Sequence, residues 1–285
     1  ANRQDARVLY ERDQLWKRTG KTPQARLNEL LQYTKHVESR DDLSVEIATL
    51  LNQVGKPGEA LQILLGRCFQ PWEGGEGLVL GQYVRARLLL GCGALDCGDA
   101  AEARDQFFAA LQPPQELSEA KHLLSNQSDV HYWIGESFHR ANDDGSARAW
   151  WLRAAQQKGD FQQMSVREFS SMTFWTGLAL QRLGRQDEAA MLFTRISDYS
   201  FELETARSGI DYFATSLPAM LLFNEDLAHR NLIDALFLRA QALAGMKRIA
   251  EAEVLLREVL TLDRNHAGAS DFLKQLVTSE GKVVR

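Results

Sequence analysis

Residues 129–155 read DVHYWIGESFHRANDDGSARAWWLRAA. A helix-compatible stretch carrying Gly135 and Phe138 runs into the polar turn Asn142–Ala147. A second stretch follows, with Trp150, Trp151 and Ala154 after Ala147. Spacings of three, four and seven place these apolar residues on one stripe of each helix. The small Gly135 lies twelve residues before the small Ala147, so the two helices can approach closely. The unit is a helical hairpin.

The same pattern recurs in both directions. Polar turns ending in alanine stand at 20–25, 55–60, 98–103, 142–147, 184–189 and 247–252. Their alanines, Ala25, Ala60, Ala103, Ala147, Ala189 and Ala252, are 35, 43, 44, 42 and 63 residues apart. Ala48, Gly91, Gly135, Gly177 and Ala240 precede the last five by twelve. Helical apolar spacing follows each turn: Leu61, Leu64 and Leu65; Phe107, Phe108 and Leu111; Leu192, Phe193 and Ile196; Leu255, Leu256 and Val259. The expected fold is all-α, about six hairpins in sequence over residues 1–285 as one domain. The longest gap marks an insertion near 197–230, where Tyr212 and Phe213 are expected to pack across the repeats. A closing helix is expected over about 266–278, because a stack of repeats needs a terminal cover.

The small-residue pairing, with Gly135, Phe138, Ala147, Trp151 and Ala154 in one unit and Gly177, Leu180, Gly184, Ala189 and Phe193 in the next, resembles the tetratricopeptide-repeat family. The resemblance implies a right-handed α-solenoid that binds proteins on a concave face. Only the first period is close to the family's ~34 residues; the later ones exceed it, so helices or connecting loops must be longer there. The stretches YERDQLWKR (10–18), PWEGGEG (71–77), DVHYWIGES (129–137) and IDYFATSLP (210–218) together resemble the C-terminal repeat region of large bacterial proteins. Those carry an uncharacterised, mutarotase-like β-sandwich portion. This implies a region of a longer protein, as does an initial Ala1 in place of Met. It also brings carbohydrate in as a second ligand class.

Mapped through the repeat family, the concave face takes Asp129, Tyr132, Glu136 and His139, then Phe174, Leu178 and Gln181. Arg85 and Leu88 precede them, and Asp234, Phe237 and Gln241 follow. A groove of mixed aromatic and polar residues suits a peptide or another domain of the same polypeptide. The loop Phe69–Gly77 adds Trp72, Glu73 and Glu76. Its three glycines lack the Lys and Ser/Thr of a phosphate loop. An aromatic ring beside paired carboxylates suits a sugar, and in that alternative Tyr132 and His139 join the subsite. Glu136 and His139 share the spacing of half a di-iron motif, as do Asp226 and His229, but no second half with further glutamates accompanies them. Ser216 lacks the glycines of a nucleophile elbow. No catalytic residue, metal or cofactor is expected.

The chain has 285 residues, 45% hydrophobic and 25% charged, with a net charge of −5. These values fit a globular chain and argue against a general nucleic-acid binder, which needs clustered positive charge. No stretch is read as approaching the ~20 apolar residues of a membrane span, so no membrane partner is expected. Cys68, Cys92 and Cys97 form no disulfide framework or zinc spacing, which places the protein in the cytoplasm. The expected function is a protein-binding scaffold.

Overall fold

The computed structural model describes residues 5–72, 74–162, 165–206 and 226–283. They fall into two compact units, residues 5–121 and 122–283. The first holds α1 (Ala6–Arg18), α2 (Pro23–Leu30), the short α3 (Thr34–Glu38), α4 (Asp41–Gln53), α5 (Pro57–Leu65), α6 (Leu78–Asp96) and α7 (Ala100–Leu111). The second holds α8 (Ser128–Arg140), α9 (Asp144–Ala155), β1 (Asp160–Gln162), β2 (Ser165–Arg167), α10 (Thr173–Arg182), α11 (Gln186–Thr205), α12 (Leu227–Gly245), α13 (Ile249–Leu262) and α14 (Ala267–Val283). Among the described residues six helical hairpins therefore follow one another, each turning at one of the predicted alanine sites. The fold is a tetratricopeptide-like, all-α helical repeat, and α14 is the closing helix.

The hairpins form for local reasons. Thr22 caps α2 by accepting from the Ala25 amide, and Pro23 supplies a preset first turn. Asp99 and Asp143 cap α7 and α9 in the same way. Gly55, Gly98 and Gly184 take left-handed φ of +84°, +85° and +79° in the tight turns. The first-helix glycines do allow close packing, but what each meets most closely is the aromatic ring four residues after its paired alanine, not the alanine expected from the sequence. A Cβ on Gly91 would come within 2.2 Å of the Phe107 ring, and one on Gly135 within 2.5 Å of Trp151. Phe193 lies against both Gly177 and Gly245, where a Cβ would reach it at 2.4 Å.

The residues in excess of the family period go to two places. Connections account for much of it: a 3-10 turn with α3, the 66–77 loop, residues 112–127, and the β1–β2 hairpin, which pairs Phe161 with Val166. Long helices take the rest, since α6, α11 and α12 have 19, 20 and 19 residues. Residues 197–205 and 227–230 of the expected insertion thus continue α11 and begin α12. Residues 207–225, with Tyr212, Phe213 and Ser216, lie outside the described residues. One sequence expectation needs correction. Helix α6 is long and apolar enough, by length and composition, to cross a membrane. In the fold it carries Arg85 and Arg87 mid-helix and packs between α5 and α7 as the first helix of a hairpin.

A buried ion cluster ties the start of the first unit together. Arg26 of α2 donates from Nε to Asp13 Oδ1 of α1 at 3.0 Å and from Nη2 to Oδ2 at 2.5 Å. The same Nη2 meets Glu46 Oε1 of α4 at 2.5 Å. Gln14 donates to Glu46 Oε2, and Lys17 lies 3.9 Å from Oε1. Burial lifts the Asp13 carboxyl above its ordinary range, against the pull of Arg26. Burial acts on Glu46 in the same direction, but Lys17 and Arg26 outweigh it and hold that carboxyl below the usual value.

The closing helix is latched by a histidine. His266 Nδ1 accepts from the Ala269 amide at 2.9 Å, in the first turn of α14, and its ring lies 4.9 Å from Phe237. Burial lowers the His266 pKa below its ordinary value, although Asp263, Asp234 and Asp271 all favour the cation. The neutral ring is the one that accepts, and a cation at a helix N-terminus opposes the dipole. The latch is thus complete above the unfolded value of about 6.5 and is lost as pH falls through the lowered folded value. Amide-exchange protection of α14 is expected to drop between two pH values, one above about 6.5 and one below the lowered folded value. In His266→Asn, which keeps an acceptor but does not titrate, that drop should disappear. Equal protection of the native α14 at both pH values would overturn the assignment.

Candidate functional site

In the first unit the 66–77 loop is held from several sides. Arg67 donates to the Glu38 carbonyl and to Ser44 Oγ and pairs with Asp41. The amides of Gln70 and Phe69 donate to Asp41 and to the Glu116 carbonyl. Trp72 covers Gly75 so closely that a Cβ there would lie 2.1 Å from the indole. Beside it is an open cleft of about 310 Å³ lined by Pro71, Trp72, Gly75, Glu76 and Glu119. Glu119 accepts from the amides of Leu80 (2.8 Å) and Gly77 (3.2 Å) at the start of α6, and burial raises its pKa. Sequence reading missed Glu119, which lies 39 and 42 residues from these partners. Glu73 lies outside the described residues. Arg85 and Leu88 are half-buried on α6.

In the second unit the expected groove residues separate by depth. Tyr132 is 7% exposed and Phe174 4%, and Asp129, Glu136, Phe237 and Gln241 are buried as well. This corrects the expectation of aromatic rings open to a partner. Tyr132 lies 5.4 Å from Trp175 and Phe174 lies 5.0 Å from Phe272, so both rings fill space between neighbouring helices. His139, Gln181, Leu178 and Asp234 remain at least partly exposed. His139 Nδ1 stands 2.7 Å from Asp144 Oδ1, while Glu136 points to a different partner. The two do not form half of a metal site, and among the described residues no group of three His, Cys, Asp or Glu side chains could hold a metal.

Polar side chains at these positions clamp the first helices α8, α10 and α12 to one another. Arg182 of α10 donates from Nη2 to Glu136 Oε2 of α8 at 2.6 Å. Gln181 of α10 donates to the Gly245 carbonyl of α12 at 2.8 Å. Gln241 of α12 donates back to the Ser171 carbonyl just before α10 at 3.2 Å. Tyr132 sits against the Glu136–Arg182 pair, and burial, then the Glu136 charge, push its phenol well above the ordinary range. Arg182 was not singled out from the sequence, although it directly follows Gln181.

One of these clamps leaves a buried acceptor. Glu136 and Gln241 are both buried; Tyr132 hydrogen-bonds the Glu136 carboxylate, while Gln241 Oε1 has no hydrogen-bond partner among the described residues. The two residues occupy the same register, one residue after the small Gly135 and Ala240 that face the second helix. An unmatched buried acceptor costs about 1–3 kcal/mol.

No family model matches the chain. Among solved structures it is similar to YrrB, a tetratricopeptide-repeat protein described as having an unusual peptide-binding site. The two are 16% identical, and the match covers 85% of this chain and 97% of that one at a TM-score of 0.30. A TM-score of that size carries no structural argument. The tetratricopeptide-like assignment rests on the hairpins themselves and on their paired small residues.

Proposed function

We propose that this chain is a non-catalytic scaffold that binds a protein segment on the inner face of its second unit. What supports this reading is the tetratricopeptide-like hairpin series itself, in which Glu136 and Gln241 take one register on the first helices α8 and α12 and tie them to α10 or to the residues just before it. Leu178 holds that register on α10 and is partly exposed. The segment belongs to another protein or to another portion of the same polypeptide. The second source is supported by the resemblance to the repeat region of larger, mutarotase-like proteins. The free thiols of Cys68, Cys92 and Cys97 support a reducing, cytoplasmic setting.

The test is panning of a displayed random-peptide library on the intact chain, followed by calorimetry with the enriched peptides. Enrichment is expected, with affinity weakened at least about tenfold in Leu178→Asp. The melting profile of that variant is the control for folding. No enrichment, or enriched peptides that bind folded Leu178→Asp as tightly as the native chain, would remove this reading.

A further inference from the structure

We propose that the cleft beside Trp72 binds an alkylammonium group, with its carbons against the Trp72 and Pro71 rings and its charge at Glu76 and Glu119. The site belongs to the first unit alone and does not rest on the segment-binding reading. Its lining is Pro71, Trp72, Gly75, Glu76 and Glu119, which supplies two rings, two carboxylates and no cation. An anion would be repelled there, and the Gly77 and Leu80 amides at the start of α6 already donate to Glu119.

Three other tryptophans already have a cation of this chain over the indole. Lys21 Nζ lies 3.1 Å and the Arg12 guanidinium 4.5 Å from the Trp16 ring centroid, Arg153 lies 4.2 Å from Trp150, and Arg182 lies 5.6 Å from Trp151. Among the described residues no lysine or arginine lies over Trp72, and neither Glu76 nor Glu119 has an ion pair. Burial and, more weakly, the Glu76 charge act against the ionised form of Glu119, while the amides of Leu80, Gly77 and Val79 favour it. A cation beside both carboxylates offsets their repulsion, and the indole adds its own attraction for the charge. Both walls are set before a ligand arrives, Glu119 by its amides and Trp72 by its close contact with Gly75, which lowers the cost of binding. Two carboxylates beside an indole suit an organic cation better than a metal ion, which draws on a fuller set of oxygens. At about 310 Å³ the cleft is at the low end of ligand sites. It has room for one small amine or one lysine side chain, and not for an oligosaccharide.

The test is a titration of the intact, nitrogen-15-labelled chain with n-butylammonium chloride at constant ionic strength. It is followed on the Trp72 indole N–H signal, identified by its loss in Trp72→Phe. A saturable shift is expected, with a Kd on the order of 10 mM. The neutral 1-butanol should bind at least about fivefold more weakly. Glu76→Gln changes an exposed residue and should weaken the amine about threefold. Nα-acetyl-lysine amide separates the two sources of the group. Tighter binding than butylammonium would assign the site to a lysine side chain of a peptide, and equal or weaker binding to a free amine. The inference is overturned by no saturable shift up to about 100 mM amine, by 1-butanol binding as well as the amine, or by unchanged affinity in folded Glu76→Gln. Methyl glucoside shifting the signal where the amine does not would put a sugar in its place. None of these results bears on the peptide panning, so the scaffold reading stands or falls separately.

Discussion

Arg26→Ala is expected to cost the first unit about 3–5 kcal/mol, the range for breaking a buried charge pair by removing one partner. Such a loss is comparable with the whole stability of many domains, so the variant should unfold residues 5–121 at ambient temperature or at much lower urea. The physical reason is the state it leaves behind. Asp13 is fully buried and Glu46 nearly so, and Arg26 gives hydrogen bonds to both. Without it, two carboxylates on α1 and α4 lose their shared cation, and Glu46 keeps only Lys17 at 3.9 Å and the Gln14 amide among the partners described. The control separates charge from packing. In Asp13→Leu/Arg26→Met/Glu46→Leu the charges vanish together, and replacing a whole buried ionic group by apolar residues is often neutral. A small loss in the triple variant with a large loss in Arg26→Ala identifies unpaired charge as the cause. Equal losses would mean that Arg26 contributes mainly volume. The readout is a urea melt followed by Trp16 and Trp72 fluorescence.

This cluster also shows where the sequence stops being legible. The hairpins could be read because each is local: Gly135 and Trp151, or Gly177 and Phe193, are sixteen residues apart, and their spacing follows from helix geometry alone. The Arg26 cluster joins α1, α2 and α4, and nothing in the residue pattern separates Asp13 from the other acidic residues nearby. The inner positions failed differently. Register gives the face of a helix and says nothing of depth. Asp129, Tyr132, Glu136 and Phe174 were placed on the correct helices, yet the approach of the neighbouring first helix buries them. Arg182, a further step along the same helix, reaches the exposed end of the clamp. Glu119 was hidden for a simpler reason, since it caps a helix that begins some forty residues before it.

Phe193→Ala should be the corresponding lesion in the second unit, costing about 3–5 kcal/mol. Phe193 is fully buried, and its ring is the surface that makes glycine necessary at two sites. Gly177 of α10 and Gly245 at the end of α12 each approach it so closely that a Cβ would lie 2.4 Å away. Phe174 packs on the same ring at 6.0 Å. One side chain of α11 thus joins the first helices of two successive hairpins. Truncation leaves a cavity that Gly177 and Gly245 have no side chains to fill, and cavity cost is largest where relaxation is least. The glycines provide the converse test. Gly177→Ala alone should destabilise by overpacking, about 1–3 kcal/mol. Combined with Phe193→Leu, which withdraws the ring, part of that loss should return. Thermal melts of the four proteins measure the coupling directly. Strict additivity would show that Phe193 and Gly177 do not share the contact on which the hairpin packing depends.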